Sequence, residues 1–460
     1  MKKIFVISSI FVILISCSKK EIPQKNNFEI FKSKVYKFEL IDDSDIVPYF
    51  KNCLNLYKKM HEKGEFERKR VEFLSDNFLK ITNNFPDSRY ADDCLFYAGK
   101  LYFDLMDYGK ATDYFRKIIK NYKNGVFSKF SNQYEYKFHI APLAHFLIAR
   151  IEHFQKKNMF KAYWEYRQLI RKYARYADEK YILDGNVGYV FAEAQFYMAE
   201  IARKHFYDYE MAIKFYRRTV LRYTDVYWED INGREVDFKT LAIKRMYDVA
   251  LNHPNTYNLV IVNFKEMSSP EKSAFTDSKM ILQFYLGELY LHRKDYRKAV
   301  NSFYNVFTTH LKIKYPKDVK IVLKALNEID KLDDSKNTNV RNLIKQTGDS
   351  IDIAKMLLNK EVSDLLSAEL LYFLAKKNFL NGNDAEAVKN IRKIYRKFPF
   401  VISTDSDLIV KRSNKILKKY LSRKAYINFL KKNLFFISNK FSIKEKLMKE
   451  VEKYENQKDS

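Results

Sequence analysis

Glycine, proline and cysteine are all scarce in this chain of 460 residues, which holds 10, 8 and 3 of them. Average usage is about 7% glycine and 5% proline, so glycine in particular is several-fold depleted. The depletion argues against a turn-rich all-β fold, a glycine-looped nucleotide site and a flexible linker protein. Hydrophobic residues make up 47% of the chain and aromatic residues 16%. Such a chain buries enough apolar area to fold, which excludes wholesale disorder.

Recognisable catalytic and metal-binding motifs are missing as well. The eight histidines form neither a His-Glu-x-x-His motif nor a helical metal pair, and the sequence has no Cys-x-x-Cys. It also lacks a phosphate loop, a Gly-x-Ser-x-Gly elbow and a dinucleotide fingerprint. We therefore predict a protein that is not an enzyme, with no catalytic residue, no metal site and no cofactor.

The first seventeen residues have the features of a targeting segment. Lys2 and Lys3 precede an apolar run at residues 4–15, which is shorter than the ~20 residues of a membrane-spanning helix. The run ends in Leu-Ile-Ser-Cys at 14–17, which resembles the lipobox of bacterial lipoproteins. This resemblance implies a signal peptide cut before Cys17, and acyl chains such as palmitate on Cys17 that anchor the protein in a membrane. The alternatives are an ordinary secretory signal with a chance cysteine and an uncleaved anchor.

Two further cysteines, Cys53 and Cys94, lie in sequence with helical periodicity. An exported compartment permits a disulfide bond, but disulfide geometry limits the Cα separation strictly. Buried cysteine commonly behaves as a small hydrophobe. The sequence therefore favours two structural thiols over a bridge.

Most of the remaining chain repeats a helical hairpin. Residues 91–122 predict two amphipathic helices around a turn at 106–108, because apolar residues recur at steps of three and four. Gly99 and Ala111 take the small positions where the paired helices would touch. The pattern returns at 194–223, 280–310 and 368–399, more weakly at 146–173, and in degenerate form at 56–85.

These hairpins resemble the tetratricopeptide repeat, a helical hairpin of 34 residues that stacks into solenoids. The same small positions are filled by Gly287, Ala299 and Ala387 in the later copies. The resemblance implies an all-α solenoid of helical hairpins with irregular insertions, following the cleaved signal peptide.

A narrower resemblance rests on residues 84–93, which read Asn-Phe-Pro-Asp-Ser-Arg-Tyr-Ala-Asp-Asp. This segment is similar to the tetratricopeptide lipoproteins of the outer-membrane β-barrel assembly machinery and to repeat proteins of the Tol–Pal system. The resemblance implies a cell-envelope scaffold that mediates protein–protein interactions, lipid-anchored at the outer membrane and facing the periplasm. Two alternatives stay open: a surface-exposed lipoprotein that binds a host or polymer ligand, and an envelope polymer-processing enzyme with a helical superstructure.

The sequence predicts six segments along the chain. They are a signal peptide at 1–16, a lipidated tether at 17–48, an N-terminal repeat block at 49–223, an irregular helical insertion at 224–278, a C-terminal repeat block at 279–400 and a basic helical cap and tail at 401–460. Residues 123–139 are expected to form a long loop, residues 225–273 irregular helices with loops, and residues 332–350 a polar, exposed connection.

The repeat register also predicts a partner-binding groove. In this class of protein the first helix of each hairpin lines the inner groove of the array, and one helix face would carry aromatic residues edged with lysine. The residues on this face are Phe96, Lys100, Phe103, Phe154, Tyr197, Lys204, Phe284, Leu291, Tyr372, Lys376 and Phe379. The expected partners are envelope proteins or peptides with apolar and acidic side chains. The alternative is that these aromatics are core residues, since an aromatic stripe at helical spacing usually packs inside.

The net charge of +27 has two explanations. It reflects either compositional bias toward lysine or attraction to an anionic surface such as lipid headgroups, an envelope polymer or an acidic partner. Nucleic acid is not expected as a partner of an exported lipoprotein.

Overall fold

The computed structural model describes residues 45–130, 135–179, 181–183, 186–223, 227–229, 235–269, 276–308, 316–334, 337–360, 362–437 and 442–456. The predicted signal peptide, Cys17 and the tether up to residue 44 lie outside the described residues. Within these ranges no helix is both long enough and apolar enough to cross a membrane. The chain divides into two compact units, the first ending at Tyr181 and the second beginning at Ile182.

The first unit is built from paired antiparallel helices with a β-hairpin inserted between two of the pairs. Its elements are α1 (Ile46–Lys63), α2 (Arg68–Asn84), α3 (Ala91–Asp104), α4 (Tyr108–Asn121), β1 (Val126–Phe130), β2 (Glu135–His139), α5 (Ile140–Arg150) and α6 (Met159–Lys172). A π-helical turn (Ile151–Gln155) extends α5, and a 3-10 turn (Ala174–Tyr176) follows α6.

The second unit continues the helical hairpins. Its elements are β3 (Tyr181–Leu183), which starts at the last residue of the first unit, β4 (Asn186–Gly188), α7 (Val190–Lys204), α8 (Tyr209–Arg222), β5 (Tyr227–Glu229), β6 (Glu235–Asp237), α9 (Phe238–Asn252), α10 (Tyr257–Ser268), α11 (Thr276–His292), α12 (Tyr296–Thr308), α13 (Pro316–Asp333), α14 (Thr338–Thr347), α15 (Ser350–Leu358), α16 (Asp364–Leu380), α17 (Asp384–Lys397), α18 (Ile409–Tyr420), α19 (Arg423–Asn433) and α20 (Ser442–Asn456).

The predicted hairpins are confirmed as pairs of packed helices. In the first unit α3 packs on α4 and α5 on α6, and in the second α7 packs on α8, α11 on α12 and α16 on α17. The small residues Ala111, Ala299 and Ala387 are fully buried on the second helices of their hairpins. Ridges of side chains on one helix can approach the partner backbone closely only where such small residues lie.

One turn geometry joins the two helices in successive hairpins. Met106, Lys157, Tyr207 and Lys294 all have φ between 55° and 65°. The residue after each is Asp or Asn, and its side chain accepts a hydrogen bond from the backbone N–H three residues further on. The left-handed residue reverses the chain and the Asp or Asn caps the second helix. Gly382 takes the left-handed position before α17, with φ of 72°.

The expected loop at 123–139 is wrong, because β1 and β2 form an antiparallel hairpin there. Val126 pairs with His139 and Phe127 with Phe138. Phe127 and Phe138 are buried, with ring centroids 5.0 Å apart, and the ring of Phe127 lies 5.3 Å from that of Phe96 on α3. An isolated hairpin of two short strands is only marginally stable, so its sequence alone does not predict a sheet. Here the hairpin is stabilised because these rings are buried against the helices.

Two other expected irregular segments are more ordered than predicted. Residues 225–273 include the antiparallel pair β5–β6, with Trp228 opposite Val236, and the regular helices α9 and α10. The connection expected at 332–350 contains α14, whose buried residues Val340 and Ile344 are four apart on one face. Asn337 caps this helix through its side chain, which a scan for apolar periodicity does not detect.

Both cysteines of the described chain are buried and unbridged. Burial raises the pKa of the Cys53 thiol to about 12, and it raises the pKa of Cys94 as well. Because thiolate is the reactive form, both thiols are inert packing groups at neutral pH. This agrees with the preference for structural thiols.

Candidate functional surfaces

In the first unit the structure places the predicted groove residues at different depths. Phe96 and Lys100 are buried, whereas Phe103 and Phe154 are half-buried. Phe96 is covered by Phe127 of the β1–β2 hairpin. Nζ of Lys100 lies 3.2 Å from Oδ1 of Asp104 and 4.8 Å from the centroid of the Phe103 ring. Lys100 therefore neutralises a carboxylate within the fold and does not lie beside an exposed row of aromatic residues.

In the second unit more of the predicted residues reach solvent. Lys204 and Lys376 are exposed and Tyr197, Leu291 and Tyr372 are half-buried. Phe284 and Phe379 are buried, and the ring of Phe379 stacks on that of Tyr420, with centroids 5.0 Å apart. The eleven predicted residues are thus divided between core and surface in both units.

Tyr372 is covered by a guanidinium group. The Arg412 side chain of α18 lies 4.3 Å from the Tyr372 ring centroid. The same Arg412 donates from Nη1 to both carboxylate oxygens of buried Glu369, at 2.9 and 3.0 Å. The backbone N–H of Thr404 also donates to Glu369, at 2.7 Å. This paired network ties α16 to α18 and holds the tyrosine ring in place.

A buried carboxylate joins three helices of the first unit. Oε1 of Glu165 on α6 lies 2.5 Å from Nη2 of Arg116 on α4, and Oε2 lies 3.3 Å from Nδ1 of His145 on α5. Burial opposes ionisation of Glu165, but the hydrogen bonds from His145 and Arg116 outweigh it and lower the pKa of the carboxyl. With both oxygens engaged, the group holds the hairpins together.

Glu200 on α7 is the equivalent centre in the second unit. Its carboxylate lies 2.6 Å from Nζ of Lys204, 2.9 Å from Nη2 of Arg203 and 3.4 Å from Nε of Arg245 on α9, and it accepts a hydrogen bond from the hydroxyl of Tyr216 on α8. Burial opposes ionisation, but the hydrogen bonds from Arg203, Lys204 and Tyr216 outweigh it and lower the pKa of Glu200 to about 2. Lys204, a predicted groove residue, is part of this network.

An exposed aromatic pair that the groove prediction missed lies on α6. Phe160 is 75% exposed and Trp164 is 47% exposed, and the guanidinium of Arg167 lies 5.9 Å from the Trp164 ring. We call these three residues the α6 aromatic face. Helical spacing in the sequence predicts this exposed pair, because Phe160 and Trp164 are four residues apart on the helix side opposite buried Ala162 and Tyr166. Large apolar side chains on the polar side of a helix indicate a contact surface.

The described residues contain no group of three or more His, Cys, Asp or Glu side chains arranged to hold a metal ion. The charged clusters described above are paired internally. Their arrangement connects helices to one another, and none of them places an acid and a base around an open space.

Comparison with known proteins identifies one repeat directly. Residues 93–125 match the family model of the tetratricopeptide repeat, which corresponds to α3, the turn and α4. No curated protein matches the sequence. The match and the hairpin geometry support a tetratricopeptide-repeat protein, and such repeats suggest a scaffold for protein–protein interactions.

Several solved structures are similar over most of their length but remote. The tetratricopeptide-repeat domain of P58(IPK) has 11% identity, with 88% of this chain and 98% of that chain covered and a TM-score of 0.21. The apo form of the quorum sensor NprR from B. thuringiensis has 13% identity, coverage of 86% and 93%, and a TM-score of 0.24. A human IFIT1 dimer with m7Gppp-AAAA has 12% identity, coverage of 88% for both chains, and a TM-score of 0.21.

Proposed function

We propose that this chain is a non-catalytic scaffold of the bacterial envelope, lipid-anchored at Cys17, whose helical hairpins bind protein partners. We place it at the outer membrane facing the periplasm, with a role in the assembly or organisation of outer-membrane proteins. The repeat match supports the protein-binding part of this proposal. The basic residues, apolar run and lipobox of residues 1–17 support the anchor.

The α6 aromatic face is the observation that supports protein binding best. Tryptophan and arginine are enriched among the residues that dominate protein interfaces, and exposed aromatic side chains at i and i+4 form one continuous patch. The exposed residues Arg171 and Lys172 at the end of α6 are basic, so an acidic partner would be attracted to the same helix. Predicted groove residues that reach solvent in the other unit, such as Tyr197 on α7 and Lys376 on α16, are further candidate contact positions.

Photo-crosslinking in cells tests the protein-binding proposal. A benzoylphenylalanine placed at Phe160 is expected to capture a defined envelope protein, whereas the same residue at Ile402, which is also exposed, is expected to capture none. Trp164→Ala should reduce capture from position 160 by about tenfold if Trp164 is an interface anchor. Equal capture from 160 and 402, or no effect of Trp164→Ala, would contradict the proposal for this face.

The anchor and the location are tested separately. Cys17→Ser is expected to abolish the added lipid mass and to weaken membrane anchoring, because the acyl chains proposed to anchor the protein are attached at Cys17. Protease added to intact cells should leave the protein uncut if it faces the periplasm. Membrane retention of the unlipidated variant would place the anchor elsewhere, and cleavage in intact cells would favour the surface-exposed alternative.

A further inference from the structure

A cleft in the second unit lies between α15, α16 and α17, with a volume of about 510 Å³. One wall is formed by the cap residue Asn383 and by one face of α17, where Asn390, Lys393 and Lys397 follow at steps of seven, three and four residues. We call this space the α15–α17 cleft. It lies outside the predicted groove residues and outside every network described above.

Asparagine side chains line the cleft. Among the residues that the structure describes, Asn378, Asn383 and Asn390 make no side-chain hydrogen bond, and Asn383 is exposed at the cap position of α17. These amides are therefore available to a ligand in the cleft. Each amide offers both a donor and an acceptor, which matches the N–H and C=O of a peptide backbone.

Lysine side chains give the cleft a positive charge. Lys355, Lys393 and Lys397 have no ion pair within the described part of the chain. The carboxylate that also lines the cleft, Glu386, is neutralised by Lys389, whose Nζ lies 3.1 Å from Oε2. Like charges four residues apart, as at Lys393 and Lys397, destabilise a helix slightly. An anionic ligand would remove this repulsion.

The floor of the cleft is apolar. Leu371 and Leu374 of α16 lie there, almost fully buried, beside the half-buried Leu358 of α15. With 14 residues, α17 is about 21 Å long, which corresponds to about six residues of extended chain. The cleft therefore combines backbone-pairing groups, cations and an apolar strip over the length of a short peptide.

We propose that the α15–α17 cleft binds an extended segment of a partner protein with alternating acidic and apolar side chains. The amides pair with its backbone, the lysines with its carboxylates and the leucines with its apolar side chains. Inorganic phosphate or an anionic sugar has the charge but no apolar side chain for the leucine floor. This inference rests on the proposed protein-binding role and assigns a site and a ligand class to it.

Fluorescence anisotropy with purified full-length protein tests the assignment. The probe is a fluorescein-labelled hexapeptide of alternating leucine and aspartate with blocked ends, and its control is the same peptide with lysine in place of aspartate. We expect saturable binding of the acidic peptide only. Lys393→Glu should weaken it by at least about tenfold, whereas Arg392→Glu, the same charge change on the adjacent exposed residue outside the cleft, should change it less than about threefold.

Three results would overturn the proposal. The first is equal binding of the two peptides, and the second is an equal effect of Lys393→Glu and Arg392→Glu on binding. The third is displacement of the acidic peptide by inorganic phosphate that supplies the same concentration of negative charge as the peptide. Unchanged melting of both variants shows that the comparison concerns folded protein. If the acidic peptide does not bind while crosslinking from position 160 still captures a partner, the cleft assignment is wrong and the scaffold proposal stands. Peptide binding without any captured partner would support the cleft and contradict the α6 aromatic face.

Discussion

Gly99 on α3 and the ring of Phe115 on α4 are in direct contact across the helix crossing. A Cβ added to Gly99 would fall 2.6 Å from Cε1 of Phe115, which is closer than real Cβ contacts allow. Gly287 and Phe303 repeat this relationship in the α11–α12 hairpin. The predicted small positions Gly99 and Gly287 are therefore confirmed, and the contact of a glycine with a phenylalanine ring recurs in these two hairpins.

Gly99→Ala is expected to lower the free energy of unfolding by roughly 1–3 kcal/mol, because the new methyl group overpacks the crossing. Gly109→Ala on α4 is the matched control, since its new Cβ would lie 3.7 Å from the nearest atom, Oδ1 of Asp107. That change should be neutral or stabilising by up to about 1 kcal/mol through helix propensity. Urea unfolding followed by circular dichroism measures both. Equal midpoints for the two variants would contradict the close crossing.

The turn between α3 and α4 predicts two changes of opposite sign. Met106 is 74% exposed and has φ of 65°, so Met106→Gly should raise stability by about 1 kcal/mol by relieving left-handed strain. Asp107 caps α4 by accepting from the N–H of Lys110, so Asp107→Ala should cost about 1 kcal/mol. Asp107→Asn keeps an acceptor and serves as the control. Loss of stability in Met106→Gly would show that the methionine side chain itself is needed.

Asp92, in the first turn of α3, should make the protein less stable as pH rises. Burial raises the pKa of Asp92 from 3.8 to about 6, so the folded state binds more protons than the unfolded state between these values. Stability is retained below pH 4 and falls by up to about 3 kcal/mol as pH increases through 6. Asp92→Asn should remove this fall and stabilise the protein at pH 7. Melting temperatures measured from pH 4 to 7 test it, with exposed Asp113→Asn as the control. Parallel pH profiles for wild type and Asp92→Asn would refute it.

Glu200 should make the protein less stable as pH falls, which is the opposite of the effect of Asp92. Its pKa of about 2 in the folded protein lies below the ordinary 4.5, so its contribution is fully present above pH 4.5 and is lost as pH falls toward 2. Glu200→Gln should destabilise the protein at pH 7 by roughly 3 kcal/mol and flatten the acid limb of the stability profile. Glu210→Gln, at an exposed position on α8, should leave the profile unchanged. An acid limb of equal steepness in Glu200→Gln would assign acid unfolding to other carboxylates.

The helical hairpins could be predicted from the sequence because their signals are local. Gly99, Ala111 and the turn at Met106 and Asp107 fall within a single stretch of about thirty residues, and helical periodicity brings them to one crossing. The same reasoning found the later copies at Gly287 and Ala387. The β1–β2 hairpin was missed because its stability depends on Phe127 meeting Phe96, a contact between separate elements that no local pattern encodes.

The sequence also placed the eleven predicted groove residues on one repeating face of the first helices, but only the tertiary structure decided which of them reach solvent. Phe96 is covered by the β-hairpin and Phe379 by Tyr420, whereas Lys376 stays exposed. The stripe of Asn390 and Lys393 on α17 was equally visible, yet it borders a cleft only because α15 and α16 leave space beside it. Periodicity determines the direction of a side chain on its own helix, while its burial depends on neighbours that are distant in sequence and are brought together by folding.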